Sequence, residues 1–274
     1  MRLSVLSSGS SGNATYMETD SGGLLVDAGL SRRRIEALLA RIGRNLGDVQ
    51  AILLTHGHSD HTCGVRSFVR DRGIPVFAAP GVGESLGAGT VAPGERCKVG
   101  GLTATFFEVP HDSLTYGVRI SDEASAVAMA TDLGEAGIDV LRCMRGAEAV
   151  ILEANHDHDW LRRGPYAASL KRRISSRHGH LSNRQAGGAA VALAPHGLKD
   201  LVLAHLSKTN NSPIRASGTV HRALREAGHG GVRVKAAIAG QPTPWIEVGT
   251  PLRVSEHVYR YDDKSAAGQL FGID

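Results

Sequence analysis

The strongest constraint in this sequence is a six-residue run, His56-Gly57-His58-Ser59-Asp60-His61, directly after the apolar stretch 51–54 and Thr55. In extended chain, residues two apart point the same way, so His56 and His58 can address one ion. Asp60 and His61 then enter a helix and diverge towards a neighbouring position. Imidazole with carboxylate suits zinc, manganese or iron, whereas a soft-metal site would call for thiolates. A lone loop histidine is usually a plain surface residue. Three histidines and an aspartate at the end of a buried strand form the pattern of a metal centre.

One short loop cannot close two sites, so further ligands must come from other strand ends. Three candidates fit. His111 ends the strand 103–109 through Pro110, Asp132 follows 126–130, and His205 follows 201–204. Together they place every candidate ligand on one rim of a sheet, where layered α/β folds gather their sites.

Apolar runs and turn residues predict strands at 3–6, 15–17, 24–26, 51–54, 76–78, 102–109, 115–120, 126–130, 150–153 and 201–204. Helices are expected after Ser31 with Ile35, Leu38, Leu39 and Ile42 on one face, and around Val65, Phe68 and Val69 up to Gly73. Others are expected near 166–174, 182–193 and 213–227. Ser182-x-x-Gln185 is a capping-box pattern, and Ser212-Pro213 sets a cap before a proline at the first helical position. Interleaved strands and helices mean layered α/β architecture. With no linker run and no repeat, the 274 residues are read as one domain, 1–274, whose last 25 or so residues are polar and unassigned.

Hydrophobic content of 42% with 21% charged residues excludes a mostly disordered chain. Three scattered cysteines (Cys63, Cys97, Cys143) fit neither a disulfide framework nor a thiolate metal cage, and suit a reducing cytoplasm. No signal-peptide core is expected at the N-terminus. The longest apolar stretch, 187–194, is far short of the roughly 18 residues that span a bilayer. A net charge of 31 − 27 = +4 is compatible with a polyanionic partner.

Val26-Asp27, Thr55-His56-x-His58-x-Asp60-His61, His111, Asp132 and His205 resemble, in order, the five signature motifs of the metallo-β-lactamase fold. That resemblance implies an αββα four-layer sandwich with two divalent metals, Mn or Zn, at one edge. It implies that His56, His58 and His111 hold one ion, that Asp60, His61 and His205 hold the other, and that Asp132 bridges. It also implies that Asp27 orients the loop through hydrogen bonds.

Departures prune the branches. The fourth motif holds Asp132 and not the cysteine of class B1 β-lactamases, and the second ligand is His58 and not the glutamate of flavodiiron oxidoreductases. The chain has no room for the inserted β-CASP domain or for the arm of the tRNA 3′-processing endonucleases. Other motifs resemble an armless subgroup, the YycJ/WalJ-like proteins: Ser8-Gly9-Ser10-Ser11-Gly12-Asn13, Glu153-Ala154-Asn155-His156-Asp157, Gly179-His180-Leu181-Ser182-Asn183 and His205-Leu206-Ser207-x-x-Asn210-Asn211-Ser212-Pro213. The resemblance implies a metal-dependent 5′-to-3′ DNA exonuclease acting in repair.

Residue chemistry adds roles. Asp60 is expected to orient a hydroxide bridging the two metals, a nucleophile that two ions make available at neutral pH. His180 precedes a capped helix, a place that favours an anion, and is expected to assist the leaving group, held by Glu153. Ser10, Asn13, Asn210 and Asn211 are candidate phosphate contacts. Basic residues including Arg162, Arg163, Arg172 and Arg173 flank the His180 region and suit a DNA backbone. With only 4% aromatics, base stacking has little material. Two rival readings are a thioester or lactone hydrolase and a non-catalytic nucleic-acid-binding module. His180, Asn210, Asn211 and the basic surface count against the first, and the intact ligand set against the second.

Overall fold

The computed structural model describes residues 1–249; the unassigned stretch 250–274 lies outside the described residues. Six strands of a first sheet come early in the chain: β1 (Arg2–Ser7), β2 (Ala14–Thr19), β3 (Gly22–Val26), β4 (Val49–Leu53), β5 (Val76–Ala78) and β6 (Gly89–Thr90). The second sheet holds β7 (Arg96–Val99), β8 (Leu102–Val109), β9 (Thr115–Ser121), β10 (Ala126–Ala130), β11 (Ala149–Glu153), β12 (Asp200–Ala204) and β13 (Arg233–Ala236). The chain then returns to the first sheet, where β14 (Ile246–Glu247) pairs with β1.

Period-two patterning decides which face meets which layer. In β10, Val127 and Met129 enter the core between the sheets, while Ala128 and Ala130 face the helices. In β11, Ile151 and Val150 divide in the same way. Strands covered on both faces read as unbroken apolar runs, which is why they were visible in the sequence.

Helices α1 (Arg32–Ala40), α2 (Ser59–Thr62), α3 (Val65–Arg72) and α4 (Val82–Leu86) follow strands of the first sheet. Ile35, Leu38 and Phe68 of α1 and α3 pack on its outer face. The other helices are α5 (Ile138–Met144), α6 (His158–Arg163), α7 (Ala168–Ile174), α8 (Asn183–Leu193) and α9 (Pro213–Glu226). Of these, α5, α8 and α9 cover the second sheet through Met144, Ala190 and Val220. The layers are therefore helix, sheet, sheet, helix, the αββα sandwich. Ser182 caps α8 in a capping box with Gln185, and Ser212 caps α9 ahead of Pro213. α1 starts after Ser31 as expected, but the Ser31 side chain makes no cap bond. The helix read at 166–174 is shorter, Ala168–Ile174.

Register positions the site. β3, β4 and β5 run parallel, as do β10, β11, β12 and β13. Val26 lies opposite Leu53, and Glu153 opposite Ala204. The residues that follow these strands emerge on one rim, where open α/β sheets gather ligands. β8 reaches the same rim because two antiparallel steps separate it from β10.

Candidate metal centre

Three residues at this rim stand just past strand ends with an unusual backbone. Asp27, Asp132 and His205 are the non-glycine residues with positive φ among the described residues, at 63°, 58° and 53°. A left-handed conformation is uncommon for such residues and costs roughly 1–3 kcal/mol, so it persists only where the surroundings hold it. His205 is held by its own N–H donating to Ser8 Oγ (2.8 Å) and by Asn155 Nδ2 donating to its carbonyl (2.9 Å). Gly29 has a steric reason to be glycine, because a Cβ there would stand 1.6 Å from the Asp60 carbonyl oxygen.

The buried histidines His56, His61, His111 and His205 are each gripped at Nδ1. His61 Nδ1 donates to Asp27 Oδ2 at 2.7 Å, and Asp27 Oδ1 accepts from the Thr55 N–H at 2.9 Å. Thr55 Oγ1 lies 3.1 Å from His56 Nδ1. His111 Nδ1 donates to the Gly179 carbonyl at 3.1 Å, and His205 Nδ1 to Glu153 Oε1 at 2.8 Å. Fixing Nδ1 leaves each Nε2 lone pair facing the rim, the arrangement metal-ligating histidines need. His56 Nε2 and His205 Nε2 are buried without a hydrogen-bond partner.

The imidazole and carboxylate ligand atoms converge in two groups. His56, His58 and His111 form one, and Asp60, His61 and His205 the other. Asp132 joins His56 and His61, with its Oδ2 3.1 Å from His61 Nε2 and its Oδ1 3.3 Å from His205 Nδ1. Asp132, Glu153, His180 and His205 make a further group. Orphaned buried imidazole nitrogens beside carboxylates fit divalent ions with mixed nitrogen and oxygen ligation.

The electrostatics agree. Burial, with His61 nearby, pushes His56 down to about 3, so it is the neutral imidazole that ligates metals. Burial opposes charge on His61, yet Asp27 and Asp132 raise it to about 10. Burial also disfavours the Glu153 anion, but His180 and His205 hold it down at about 2. The rim is thus a buried carboxylate field that calls for positive charge.

Not every candidate reaches the substrate side. A cavity of about 250 Å³ opens beside the metal cluster, lined by Ser10, His111, Tyr166, Arg173, His180 and His205 among others. His180 keeps its Nδ1 on Glu153 Oε1 (2.9 Å) and its ring in the cavity. Arg173 lines the cavity and pairs with Asp112, whereas Arg172 is exposed and lies outside its lining. The expected phosphate contacts at three asparagines need correction. Asn13 is 2% exposed, and its Nδ2 lies 2.9 Å from His61 Nε2 and 3.4 Å from Asp60 Oδ2, so it positions those two side chains. Asn211 spends its amide on the Ala154 and Asn155 carbonyls and on Asn183. Asn210 is buried at 1% exposure, under the α6 segment.

Sequence reasoning missed Thr55, Ser8 and Asn155 as supports, and Asp112 in the cavity lining. Asp112 Oδ1 stands 3.2 Å from His111 Nε2 and 3.5 Å from His58 Nε2. Thr55 and Asp112 adjoin motif histidines, and Ser8 and Asn155 lie within the Ser8–Asn13 and Glu153–Asp157 motifs, but residue type alone did not show whom they support.

Residues 23–206 match the β-lactamase superfamily domain. The chain belongs to the β-lactamase superfamily. Within it, the chain is 36% identical over 239 residues to the exodeoxyribonuclease WalJ of Streptococcus pneumoniae, covering 82% of this chain and 89% of that protein. It is 35% identical over 243 residues to the exodeoxyribonuclease YycJ of Bacillus anthracis, covering 84% and 91%. Among solved structures, the metallo-β-lactamase fold protein YhfI of Bacillus subtilis superposes with a TM-score of 0.68 at 18% identity, covering 88% of this chain and 98% of that one. Members of this superfamily fold use divalent metal ions, and the cluster described above suits them. Among the described residues, no helix is long and apolar enough to cross a membrane.

Proposed function

We propose that this superfamily member is a metal-dependent exodeoxyribonuclease that works as one domain, removes nucleotides from DNA 5′ ends and serves in repair. The observation that carries the reading is the pairing of a two-group ligand cluster with His180, a histidine on the cavity side and not within either histidine-led trio. The relatives named exodeoxyribonuclease extend over most of the chain. We further propose two ions, manganese or zinc, one held by His56, His58 and His111 and one by Asp60, His61 and His205, with Asp132 between them. Bound there, such ions supply Lewis acidity towards a phosphodiester and make water a usable nucleophile near neutral pH.

The chain's own residues complete the chemistry. Asp60, beside both His61 and His205, can take a proton from the attacking water. His180, with Nδ1–H donated to Glu153, lines the cavity and can protonate the departing oxygen. Arg173 and Ser10 flank the phosphate path. Recognition runs through phosphates with little base readout. A thioester or lactone substrate would have no use for this basic cavity wall, and an inert binding module would not need the ligand set. The three cysteines carry free thiols, which suits a cytoplasmic place of work.

The test is digestion of 5′- and 3′-end-labelled duplex and single-stranded DNA with Mn or Zn added. Mononucleotide release from the 5′ label first, abolished by EDTA, supports the reading. Inert DNA in both metals, or release from the 3′ label first, overturns it.

A further inference from the structure

Three chain segments leave the metal centre and reappear a few residues later around a second cavity. Asn155, His180 and Ser207 line the first cavity. Asp157, Asn183 and Ile214 line the second, a space of about 310 Å³ between α6, α8 and α9. Two residues of extended chain span at most about 7 Å, so Asn155 and Asp157 set the two cavities side by side.

The charge around the second cavity does not balance. Arg184, Arg215 and Arg222 line it, with Asp157 and Asp159. Both carboxylates are engaged. Asp157 Oδ1 accepts from the N–H groups of Asp159 and Trp160, while its Oδ2 lies 3.5 Å from Arg215 Nε. Asp159 Oδ1 lies 3.6 Å from Arg162 Nη2. Among the described residues, Arg184 and Arg222 have no carboxylate partner. Their exposed guanidinium groups present planar donor forks, which match phosphate oxygens two at a time. α6 supplies His158 and Asp159 to the second cavity, and its Trp160 is 40% exposed with the Arg215 guanidinium carbon 4.7 Å from its ring centroid. That ring offers a base a stacking surface, which is sequence-tolerant.

We infer that the cavity between α6, α8 and α9 is a second phosphate subsite, which grips the DNA strand a few nucleotides away from the bond being cut through Arg184 and Arg222. The inference rests on the nuclease reading and adds a length preference to it: strands long enough to reach both cavities bind better than short ones.

The full-length, metal-loaded protein tests it. Binding of a fluorescein-labelled, cleavage-resistant phosphorothioate 15-mer is followed by anisotropy across a KCl series. For R184A/R222A, the log–log salt slope should fall by about 1.4, two contacts at about 0.7 each on a single strand. R184K/R222K keeps the charge and should keep the slope. The ratio of KM for a trinucleotide to KM for a 15-mer should collapse towards one in the alanine variant. Metal content and Tm report whether that variant is folded; if it is not, the single charge reversal R222E serves, with a slope loss of at least 0.7 expected. An unchanged slope with an unchanged KM ratio in a folded variant overturns the subsite. A wild type that leaves DNA intact, while the alanine variant still loses slope, overturns the nuclease reading and leaves the subsite standing.

Discussion

Replacing Glu153 by glutamine tests how the site is held. The carboxylate is fully buried and accepts four hydrogen bonds. His180 Nδ1 and His205 Nδ1 donate to Oε1 at 2.9 and 2.8 Å, and the N–H groups of Leu133 and Leu181 donate to Oε2, both at 3.1 Å. Glutamine offers one carbonyl oxygen and one NH2. Whichever way the amide turns, two donors face its NH2 and lose their acceptor. At about 1–3 kcal/mol per unsatisfied buried group, E153Q should lose about 2–6 kcal/mol of stability. If the amide oxygen stays with the backbone, His205 loses the bond that fixes its ring, and metal affinity should fall roughly 10–100-fold. Urea unfolding of the EDTA-treated proteins measures the first effect, and competition with a fluorescent chelator the second. Stability within about 0.5 kcal/mol of wild type, with unchanged metal affinity, would refute the account of Glu153 as the shared acceptor.

Further substitutions separate ligand from helper and core from surface. H180A should keep its metal while the rate on DNA falls by roughly 10²–10⁴, and H205A should lose metal; elemental analysis giving the opposite pattern would exchange the two assignments. D60N should lower activity by several orders of magnitude with partial loss of metal, and a near-normal rate would remove Asp60 as the proton acceptor. Away from the site, the buried Glu18 accepts from Arg2 Nε at 2.7 Å and from Arg44 Nε at 2.6 Å, and these arginines hold its carboxyl below the usual range although burial opposes them. The ion pairing is then fully present above the unfolded value of about 4.3 and is lost as pH falls below it, so E18Q should cost about 3–5 kcal/mol at pH 7 and less below pH 4. A cost that stays constant from pH 7 to pH 3 in urea titrations would contradict this.

The sequence exposed the parts of the fold whose signal is local. The doubly covered strands show as apolar runs, and 76–78, 102–109 and 126–130 match observed strands end for end. Edge strands were invisible: β7 alternates exposed and buried along only four residues, and β13 has no fully buried residue. α5 gives no local signal because Gly137 supplies no side-chain cap, whereas α6 carries a readable Asp157 cap. At the site, ligand types and spacing are local and were legible. The supports are not. Ser8 reaches His205 across 197 residues, and the left-handed turns at Asp27, Asp132 and His205 carry only the weak signature that Asp and His enter that region more often than most residues. Asn211 misled for the same reason: beside Ser212-Pro213 it reads as a turn residue, yet its partners Ala154, Asn155 and Asn183 come from elsewhere in the chain.

Anomalous diffraction from crystals grown with manganese or zinc tests the central claim most directly. The account predicts two peaks per chain, one among His56, His58 and His111 and the other among Asp60, His61 and His205, with Asp132 reaching both. A single peak, or a peak held by Glu153 and His180, would contradict it.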